Sequence, residues 1–296
     1  MVAYVVERID PVAVTGVPAL HAMDLMSPYV WKDAGCYCMM LRAVPRPLGP
    51  GDPTGIIHDG RSTDGLTFIM EAEPSIVPGP DPIDAGGVED PTVQPGPDGP
   101  LIYYTGVEIG RRQGSLLVAS GVDERHLVKR HVALKARAGE GNIKEATFAQ
   151  TPVGDWRLFY EYAEAGASRI GVASAPDLGG RWTVLDDPFG IREDGWDNWH
   201  LSTGPIVSFP GQDPVMFYNG ATRDARWRIG WVSFSPDFSR VTGRGLEPIL
   251  MPPPATDRAA TDIAFAASAI VEDGAISLWY SLEDRLLMRA RVAVYG

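Results

Sequence analysis

The sequence has very little cysteine and no long apolar run. Its 296 residues include 2 cysteines, and no stretch approaches the roughly 18 apolar residues that a bilayer-spanning helix needs. Cys36 and Cys38 would lie on one face of a strand, where a disulfide between them is strained and too few other ligands are near for a zinc site. We expect two reduced core thiols. The opening MVAYVVERID lacks the apolar core of a signal peptide, so the predicted location is cytoplasmic.

Basic residues are also scarce, with 26 Lys+Arg against 38 Asp+Glu and a net charge of −12. This balance argues against nucleic acid and anionic membranes as partners, because both require clustered basic side chains. The 5 histidines show no HExxH spacing, and the chain has no GxxxxGK[ST], GxGxxG or G-x-S-x-G motif. We therefore expect neither a metal nor an organic cofactor.

Glycine and proline, by contrast, are abundant. The 33 glycines and 26 prolines favour short elements joined by turns over long helices. A pattern of apolar strand, turn and second strand ending in a large side chain occurs five times, as SPYVWKDAGCYCMMLRA, EDPTVQPGPDGPLIYYTG, KEATFAQTPVGDWRLFYEY, TGPIVSFPGQDPVMFYNG and ASAIVEDGAISLWYSLED. The second strands end at Met40, Tyr104, Tyr160, Tyr218 and Tyr280, which are 64, 56, 58 and 62 residues apart.

Five such units predict an all-β fold, a five-bladed β-propeller. We expect one domain over residues 1–296, with the N-terminal strand able to close the ring. The predicted blades are 24–80, 87–135, 142–190, 199–250 and 260–296. The proline-rich segments VPGPDPIDAGG and MPPPATDRAA are expected to be loops between blades. A β-sandwich of about ten strands is the alternative.

In a propeller, the first residues of each innermost strand converge at one mouth of the central channel. The residues in these positions are Asp24 and Ser27, Glu89 and Asp90, Lys144 and Glu145, His200 and Thr203, and Asp262. Several carboxylates facing one cavity are costly unless they are solvated or used in chemistry. Asp90, held extended before Pro91 and beside Glu89, is the strongest candidate for a catalytic acid, because clustered carboxylates raise one another's pKa.

The segment GVEDP followed by an apolar strand resembles the signature of glycoside hydrolase family 130, whose members are mannoside phosphorylases and mannosidases on a five-bladed propeller. Other segments resemble that family in the same order, over residues 24–293: Leu41-Arg42, RSTDGLTF, IKEATF and SLWYSLEDRLLMRARV. The resemblance implies an enzyme that cleaves β-mannoside-like or related glycosides. Its partner would be an oligosaccharide or glycoside, with inorganic phosphate as co-substrate if it is a phosphorylase.

The same resemblance implies roles for individual residues. Asp90 would protonate the glycosidic oxygen through a sugar hydroxyl, Arg42 and Asp262 would bind hydroxyls of the sugar in the −1 subsite, and Lys144 would lie beside the reaction centre. The further substrate-binding candidates are Asp24, Ser27, His200 and Arg228.

Two residues depart from the family pattern, and one of them favours hydrolysis over phosphorolysis. Threonine follows the proline of EDP at Thr92 where the family has arginine, and Asn219 replaces a histidine that phosphorylases commonly carry. Asparagine has no charge to offer a phosphate dianion. Glu145 is then the candidate general base, and because neighbouring blades suit the wider carboxylate spacing of inverting enzymes, inversion is expected.

Two other functions remain open. Families 43 and 32 place Asp, Asp and Glu at the openings of the first three blades, which would make Glu145 the acid, but this chain has Ser27 at the first position. A sugar-binding propeller without turnover is the second alternative, because Trp196, Trp199 and Trp227 cluster around the fourth unit and could stack on sugars.

Overall fold

The computed structural model describes residues 2–111, 113–254 and 262–296. These residues form β-strands joined by loops and turns, with a single 3-10 helix at Pro18–Ala22 within the described ranges. The predicted all-β fold is confirmed. Residues 255–260 of the predicted MPPPATDRAA loop, and positions 260 and 261 of the fifth predicted blade, lie outside the described residues.

The strands follow one another without long helical connections. The first ten are β1 (Ala3–Pro11), β2 (Ala13–Thr15), β3 (Met23–Asp33), β4 (Cys36–Pro45), β5 (Ile56–Ser62), β6 (Thr67–Met70), β7 (Gly87–Gln94), β8 (Leu101–Val107), β9 (Gly114–Gly121) and β10 (Leu127–Leu134). The next seven are β11 (Gly141–Gln150), β12 (Trp156–Glu164), β13 (Ala167–Ala175), β14 (Thr183–Val184), β15 (His200–Ser202), β16 (Ile206–Val207) and β17 (Val215–Met216). The last seven are β18 (Asn219–Ala221), β19 (Trp227–Ile229), β20 (Val232–Phe234), β21 (Val241–Arg244), β22 (Ala264–Glu272), β23 (Ala275–Leu282) and β24 (Leu286–Tyr295).

These strands form five blades around one axis. The first has the order β2-β6-β5-β4-β3, the second β10-β9-β8-β7 and the third β14-β13-β12-β11. The fourth is divided into the short sheets β15-β18-β19 and β16-β17-β20-β21, and the fifth has the order β1-β24-β23-β22. The inner strands β3, β7, β11, β16 and β22 contact one another in a closed ring, which is the arrangement of a five-bladed propeller and not of a sandwich.

Each blade is covered on both faces, which explains the large residues that recur in the second strands. They lie within these strands and not at the predicted ends, since β4 continues to Pro45 and β8 to Val107. In β8, Tyr104 packs against the first blade and its neighbour Tyr103 packs against the third. In β4, Met40 and Met39 similarly face the second and fifth blades. Consecutive side chains of a strand point to opposite faces, so a blade between two others needs an apolar residue at both positions. Burial of each such side chain stabilises the fold by about 1.5–3 kcal/mol.

Small polar side chains join neighbouring inner strands near the axis. Thr92 Oγ1 donates to the Ala146 carbonyl at 2.5 Å, which links the second blade to the third. Thr147 Oγ1 donates to the Gly204 carbonyl at 3.1 Å and so reaches the fourth blade. Ser268 Oγ of the fifth blade donates to a carbonyl of the first at 2.7 Å. These bonds satisfy backbone groups that the strand ladders leave unpaired.

The two ends of the described chain meet in the fifth blade. Strand β1 pairs antiparallel with β24, from Ala3 opposite Tyr295 to Pro11 opposite Met288. The N-terminal strand is therefore the outer strand of the blade that the last three strands form. This pairing joins the beginning and the end of the chain through backbone hydrogen bonds.

Candidate active site

A cavity at one mouth of the channel is lined by residues from all five blades. Its volume is about 170 Å³, below the roughly 300–1,000 Å³ typical of small-molecule sites, and it suits a single sugar ring. The first three blades contribute most of the charged residues, and the fourth and fifth contribute most of the apolar ones together with the polar Ser281 and Asp284. The described lining residues are Met26, Ser27, Arg42, Asp90, Lys144, Glu145, Glu161, Trp227, Ile263, Phe265, Ser281 and Asp284.

Three of these residues occupy the same backbone position in the first three blades. Ser27, Asp90 and Glu145 have φ of 51°, 50° and 55°, and each lies at a register shift of its inner strand. We call them the bulge triad. A non-glycine residue in this left-handed region costs about 1–3 kcal/mol, and such strain is concentrated at functional sites. The bulges turn the three side chains toward the axis.

Asp90 is held by one of its carboxylate oxygens. Oδ1 accepts a hydrogen bond from Ser27 Oγ at 2.7 Å and one from an Arg42 terminal nitrogen at 3.4 Å. Oδ2 is buried and has no hydrogen-bond partner among the described residues. A carboxylate with one fixed oxygen and one free oxygen at a cavity is suited to accept a proton or to bind a hydroxyl group.

Arg42 is fixed by groups on both sides of its guanidinium. Nε and a terminal nitrogen donate to the Thr54 carbonyl at 3.0 and 2.7 Å, and that same nitrogen donates to Glu89 Oε1 at 2.8 Å. Gly55 makes this close packing possible, because a Cβ there would lie 2.9 Å from Arg42 Nε. Arg42 thus bridges two carboxylates of the second blade, those of Glu89 and Asp90.

Lys144, Glu145 and Glu161 form the charged wall of the third blade. Burial lowers the pKa of the Lys144 ammonium, but the carboxylates of Glu161, Glu89 and Asp90 outweigh it, so the pKa is raised. Burial, followed by the charges of Asp90 and Glu161, raises the pKa of Glu145 well above its usual range. The ammonium is therefore favoured in its charged form, while burial and the neighbouring carboxylates favour the protonated form of Glu145.

The structure brings five of the predicted site residues together in the cavity: Ser27, Arg42, Asp90, Lys144 and Glu145. Four others do not line it. Asp24 lies three residues before the first bulge, and its Oδ1 accepts hydrogen bonds from Arg285 at 3.0 Å and Arg46 at 3.3 Å. It is therefore engaged in ion pairs outside the cavity.

The other three lie around Trp227, which does line the cavity. The His200 ring packs on the indole with centroids 5.4 Å apart. Arg228 is the next residue on strand β19 and so points to the opposite face, where it donates to the Trp196 carbonyl at 3.3 Å. Asp262 pairs with Arg226 at 2.8 Å, while its carbonyl accepts the Trp227 N–H.

Seven lining residues were missing from the predicted site set, namely Met26, Glu161, Trp227, Ile263, Phe265, Ser281 and Asp284. Of these, the sequence had indicated Trp227 only as a stacking residue of a sugar-binding propeller. Glu161 lies on the second strand of its blade, opposite Lys144, and only the pairing register places it in the cavity. Asp284 lines the cavity from the turn between β23 and β24, and its charge acts on Arg42. The SLED segment was a signal for it. Trp227 and Phe265, with ring centroids 5.4 Å apart, form an aromatic wall.

The two departures from the family pattern have structural roles. Thr92 is buried and bonds to the third blade. Asn219 is fully buried, and its amide donates to the carbonyls of Thr203 and Ala266 and accepts the N–H of Ala266. Because this amide joins the fourth and fifth blades and does not line the cavity, the replacement of histidine by Asn219 is no evidence about phosphate binding.

The described residues contain no cluster of three or more His, Cys, Asp or Glu side chains arranged to hold a metal ion. Cys36 and Cys38 are free thiols. In the same part of the chain, no helix has the length and apolar character needed to cross a membrane.

Neither protein-family models nor curated protein sequences match the chain. Solved structures do. A β-1,2-mannobiose phosphorylase from Listeria innocua, in complex with β-1,2-mannobiose, is 17% identical, with a TM-score of 0.75 over 96% of this chain and 90% of that one. A glycosyl hydrolase from Bacteroides ovatus is 21% identical, with a TM-score of 0.73 over 93% and 84%.

A third structure comes from work on glycoside hydrolases within the family 130 mannoside phosphorylases that target β-1,2-mannosidic linkages in Candida mannan. It is 20% identical to this chain, with a TM-score of 0.75 over 93% of this chain and 84% of that one. At these identities the similarity establishes the fold, which is that of the family 130 propeller enzymes. The predicted five-bladed propeller is confirmed.

Proposed function

We propose that this protein is a glycoside hydrolase that removes one sugar from β-mannoside-like or related glycosides in the central cavity. The main support is the pair of neighbouring bulge carboxyl groups, Asp90 and Glu145, in a cavity of about 170 Å³. One of the two is fixed by donors to its Oδ1, and the other has a raised pKa. Two carboxyl groups in such different environments are the usual arrangement for acid–base cleavage of a glycosidic bond.

The environments favour Glu145 as the acid and Asp90 as the base. In the reaction, Glu145 donates its proton to the glycosidic oxygen as the bond to the anomeric carbon breaks. Asp90 takes a proton from the water whose oxygen attacks that carbon, so the products are a free sugar and an alcohol. This reverses the roles that the resemblance to family 130 implied, in which Asp90 was the acid. The proposal keeps inversion as the expected stereochemical outcome.

Hydrolysis is favoured over phosphorolysis by the charges around the cavity. The described cations of the lining are Arg42 and Lys144. Arg42 is bonded to Glu89 and Asp90, and Lys144 is surrounded by carboxylates. A phosphate dianion would have to compete with these carboxylates and would be repelled by them. A neutral water molecule meets no such cost.

A family 43- or 32-like glycosidase remains the second candidate. The bulge triad supports it, since Glu145 would be the acid there as well. However, the first bulge carries the hydroxyl of Ser27 in place of a carboxylate, so one of the three acidic groups of those families is missing. The sugar that is released distinguishes the two candidates, because families 43 and 32 act on arabinose, xylose or fructose units.

The test is a panel of aryl glycosides and manno-oligosaccharides, each incubated with and without inorganic phosphate. We expect release of a free monosaccharide at the same rate in both conditions, and NMR of the first product should show an inverted anomer. Phosphate-dependent formation of a sugar 1-phosphate would overturn the hydrolase proposal. If sugars bind by calorimetry but none is cleaved, the protein is a binding module.

A further inference from the structure

Glu161 is a buried carboxylate for which the proposed reaction has no step. It lies on strand β12, directly opposite Lys144 in the pairing with β11, and it faces the cavity beside Glu145. Its Oε1 accepts a hydrogen bond from Ser168 Oγ of the next strand at 2.9 Å. Lys144, its partner across the strands, is the residue before the proposed acid, so the buried Glu161 carboxyl group lies next to that acid in the cavity.

We propose that Glu161 is a positioning residue, whose carboxylate holds Lys144 in the cavity and keeps the proton on Glu145. The second part rests on the proposed function, since it takes Glu145 as the proton donor. The positions of these residues on strands β11 and β12 support both parts of the proposal. Lys144 and Glu145 are consecutive, and Glu161 is opposite the first of them, so a single carboxylate acts on both side chains.

The negative charge of Glu161 raises the pKa of both groups, through attraction to Lys144 and through repulsion of a charge on Glu145. The negative charge of Glu161 attracts the Lys144 ammonium and is the largest of the carboxylate contributions that raise its pKa. The same charge makes a second negative charge on Glu145 unfavourable and so contributes to its raised pKa. Burial raises the pKa of Glu161 itself, although Lys144 and the Ser168 hydroxyl act in the opposite direction. Lys144 therefore stabilises the charge on Glu161 that protects the proton of Glu145.

Other charged groups also act on this pair. From the described elements packed around Glu145 and Glu161, the groups that face them are Asp90 on β7, Arg42 on β4 and Lys144 on β11, with Asp284 in the β23–β24 turn lining the same cavity. These groups are all retained in the variants of the test, which change Glu161 or its hydroxyl donor Ser168. His200 is neutral in this arrangement, because its Nδ1 accepts the Ser168 N–H at 3.1 Å and its pKa is lowered by burial and by Arg169.

The experiment follows the titration of Glu145 directly, by NMR of protein labelled with 13C at glutamate carboxyl groups. The Glu145 signal is assigned by its loss in E145Q. In E161Q we expect the pKa of Glu145 to fall by about one unit or more, since a neighbouring like charge is worth shifts of that order. Glu161→Asp keeps the charge and should restore a pKa close to that of the wild type.

Glu164→Gln is the matched control, because Glu164 is exposed at the end of the same strand, away from the cavity. It should leave the titration of Glu145 unchanged. If E161Q does not fold, Ser168→Ala gives a second test: without its hydroxyl donor, Glu161 is less charged, and the pKa of Glu145 should fall by a smaller amount.

An unchanged Glu145 titration in E161Q, or in Ser168→Ala if that variant must be used, would overturn the proposal. The activity measurement is separate. With a cleaved substrate, the alkaline limit of kcat/KM in E161Q should move to lower pH together with the pKa. If no substrate is cleaved but the titration shifts, the proposed function fails and the coupling between Glu161 and Glu145 stands.

Discussion

The Ser27 hydroxyl donates a 2.7 Å hydrogen bond to Oδ1 of Asp90 and so joins the bulges of the first and second blades. Both residues have a left-handed backbone, and they are separated by 63 positions in the sequence. The bond fixes the rotation of the Asp90 carboxylate and leaves its Oδ2 without a partner among the described residues. Ser27 is thus a candidate for positioning the proposed base.

The first prediction concerns this bond. Hydrogen bonds to charged groups are worth about 1.5–3 kcal/mol, so Ser27→Gly should lower kcat by about tenfold or more. Glycine accepts the left-handed backbone of this position without strain, and any loss therefore reports on the hydroxyl. Ser281→Ala is the comparison, since it removes the acceptor of the Ser27 N–H at another residue of the cavity and keeps the Ser27 hydroxyl. Equal losses in the two variants would mean that the link between blades matters and the bond to Asp90 does not.

The second prediction concerns pH and Glu145. A carboxyl group whose pKa is raised by folding stabilises the protein least at high pH, because the folded state then binds a proton that the unfolded state has lost. Between the usual pKa of glutamate and the raised value, the wild type should lose about 1.4 kcal/mol of stability per pH unit from this group. E145Q should not show this loss, and it should have no glycosidase activity.

The measurement is urea unfolding of the wild type and E145Q at several pH values. The free energy of unfolding of E145Q, relative to that of the wild type, should increase as the pH rises from 5 to 8. For Glu164→Gln, at an exposed position of a neighbouring strand, the difference in unfolding free energy from the wild type should be the same at every pH. An E145Q advantage that does not change with pH would mean that Glu145 is ionised in the folded protein and cannot be the acid.

The third prediction concerns the aromatic wall. Trp227 lines the cavity and contacts Phe265 with ring centroids 5.4 Å apart, and the C–H face of a sugar ring would contact its indole. Trp227→Ala should raise KM by about tenfold with a smaller change in kcat, since it removes about 1–1.5 kcal/mol of aromatic contact in the ground and transition states alike. Trp156→Ala is the control. Trp156 is five residues before Glu161 on strand β12, roughly 17 Å along an extended chain.

If kcat falls and KM is unchanged, Trp227 acts on the reacting bond and not on sugar binding. A second control is His200→Ala, which removes the ring behind the indole. We expect it to raise KM less than Trp227→Ala, because the indole remains and only its support is lost.

The fold could be predicted from the sequence because every blade needs the same kinds of side chain, and these recur as a repeat. A buried blade requires large residues on both faces, and Tyr103-Tyr104 or Met39-Met40 mark that requirement at regular intervals. The positions of Ser27, Asp90 and Glu145 also follow from the repeat, since they open equivalent strands. Their bulged backbone does not: Asp90 was expected to be extended before Pro91, and this was wrong, because its φ is 50°. Position within the repeat was enough to bring these side chains to one axis.

The rest of the cavity depends on geometry that the repeat does not encode. Glu161 reaches the cavity because of the pairing register between β11 and β12. Bulges in β11 shift that register on both sides of Lys144. Arg228 and Trp227 are neighbours that point in opposite directions, and a one-residue difference decides which of them meets the substrate. Asp262 and Asp284 lie on either side of the same hairpin, and the sequence does not say which one the turn directs toward Arg42.

The last prediction concerns Asn219, where the sequence suggested a role in phosphate discrimination. Its amide makes three hydrogen bonds to backbone groups of Thr203 and Ala266 and is completely buried. Asn219→Ala leaves these groups without partners, and each buried unsatisfied group costs about 1–3 kcal/mol. We expect the free energy of unfolding to fall by about 3 kcal/mol or more, measured by urea unfolding, whereas Asn198→Ala in the preceding loop should have little effect. At a temperature where the variant is still folded, its activity should remain independent of phosphate. An Asn219→Ala protein of normal stability whose activity responds to phosphate would instead place this amide in contact with the substrate.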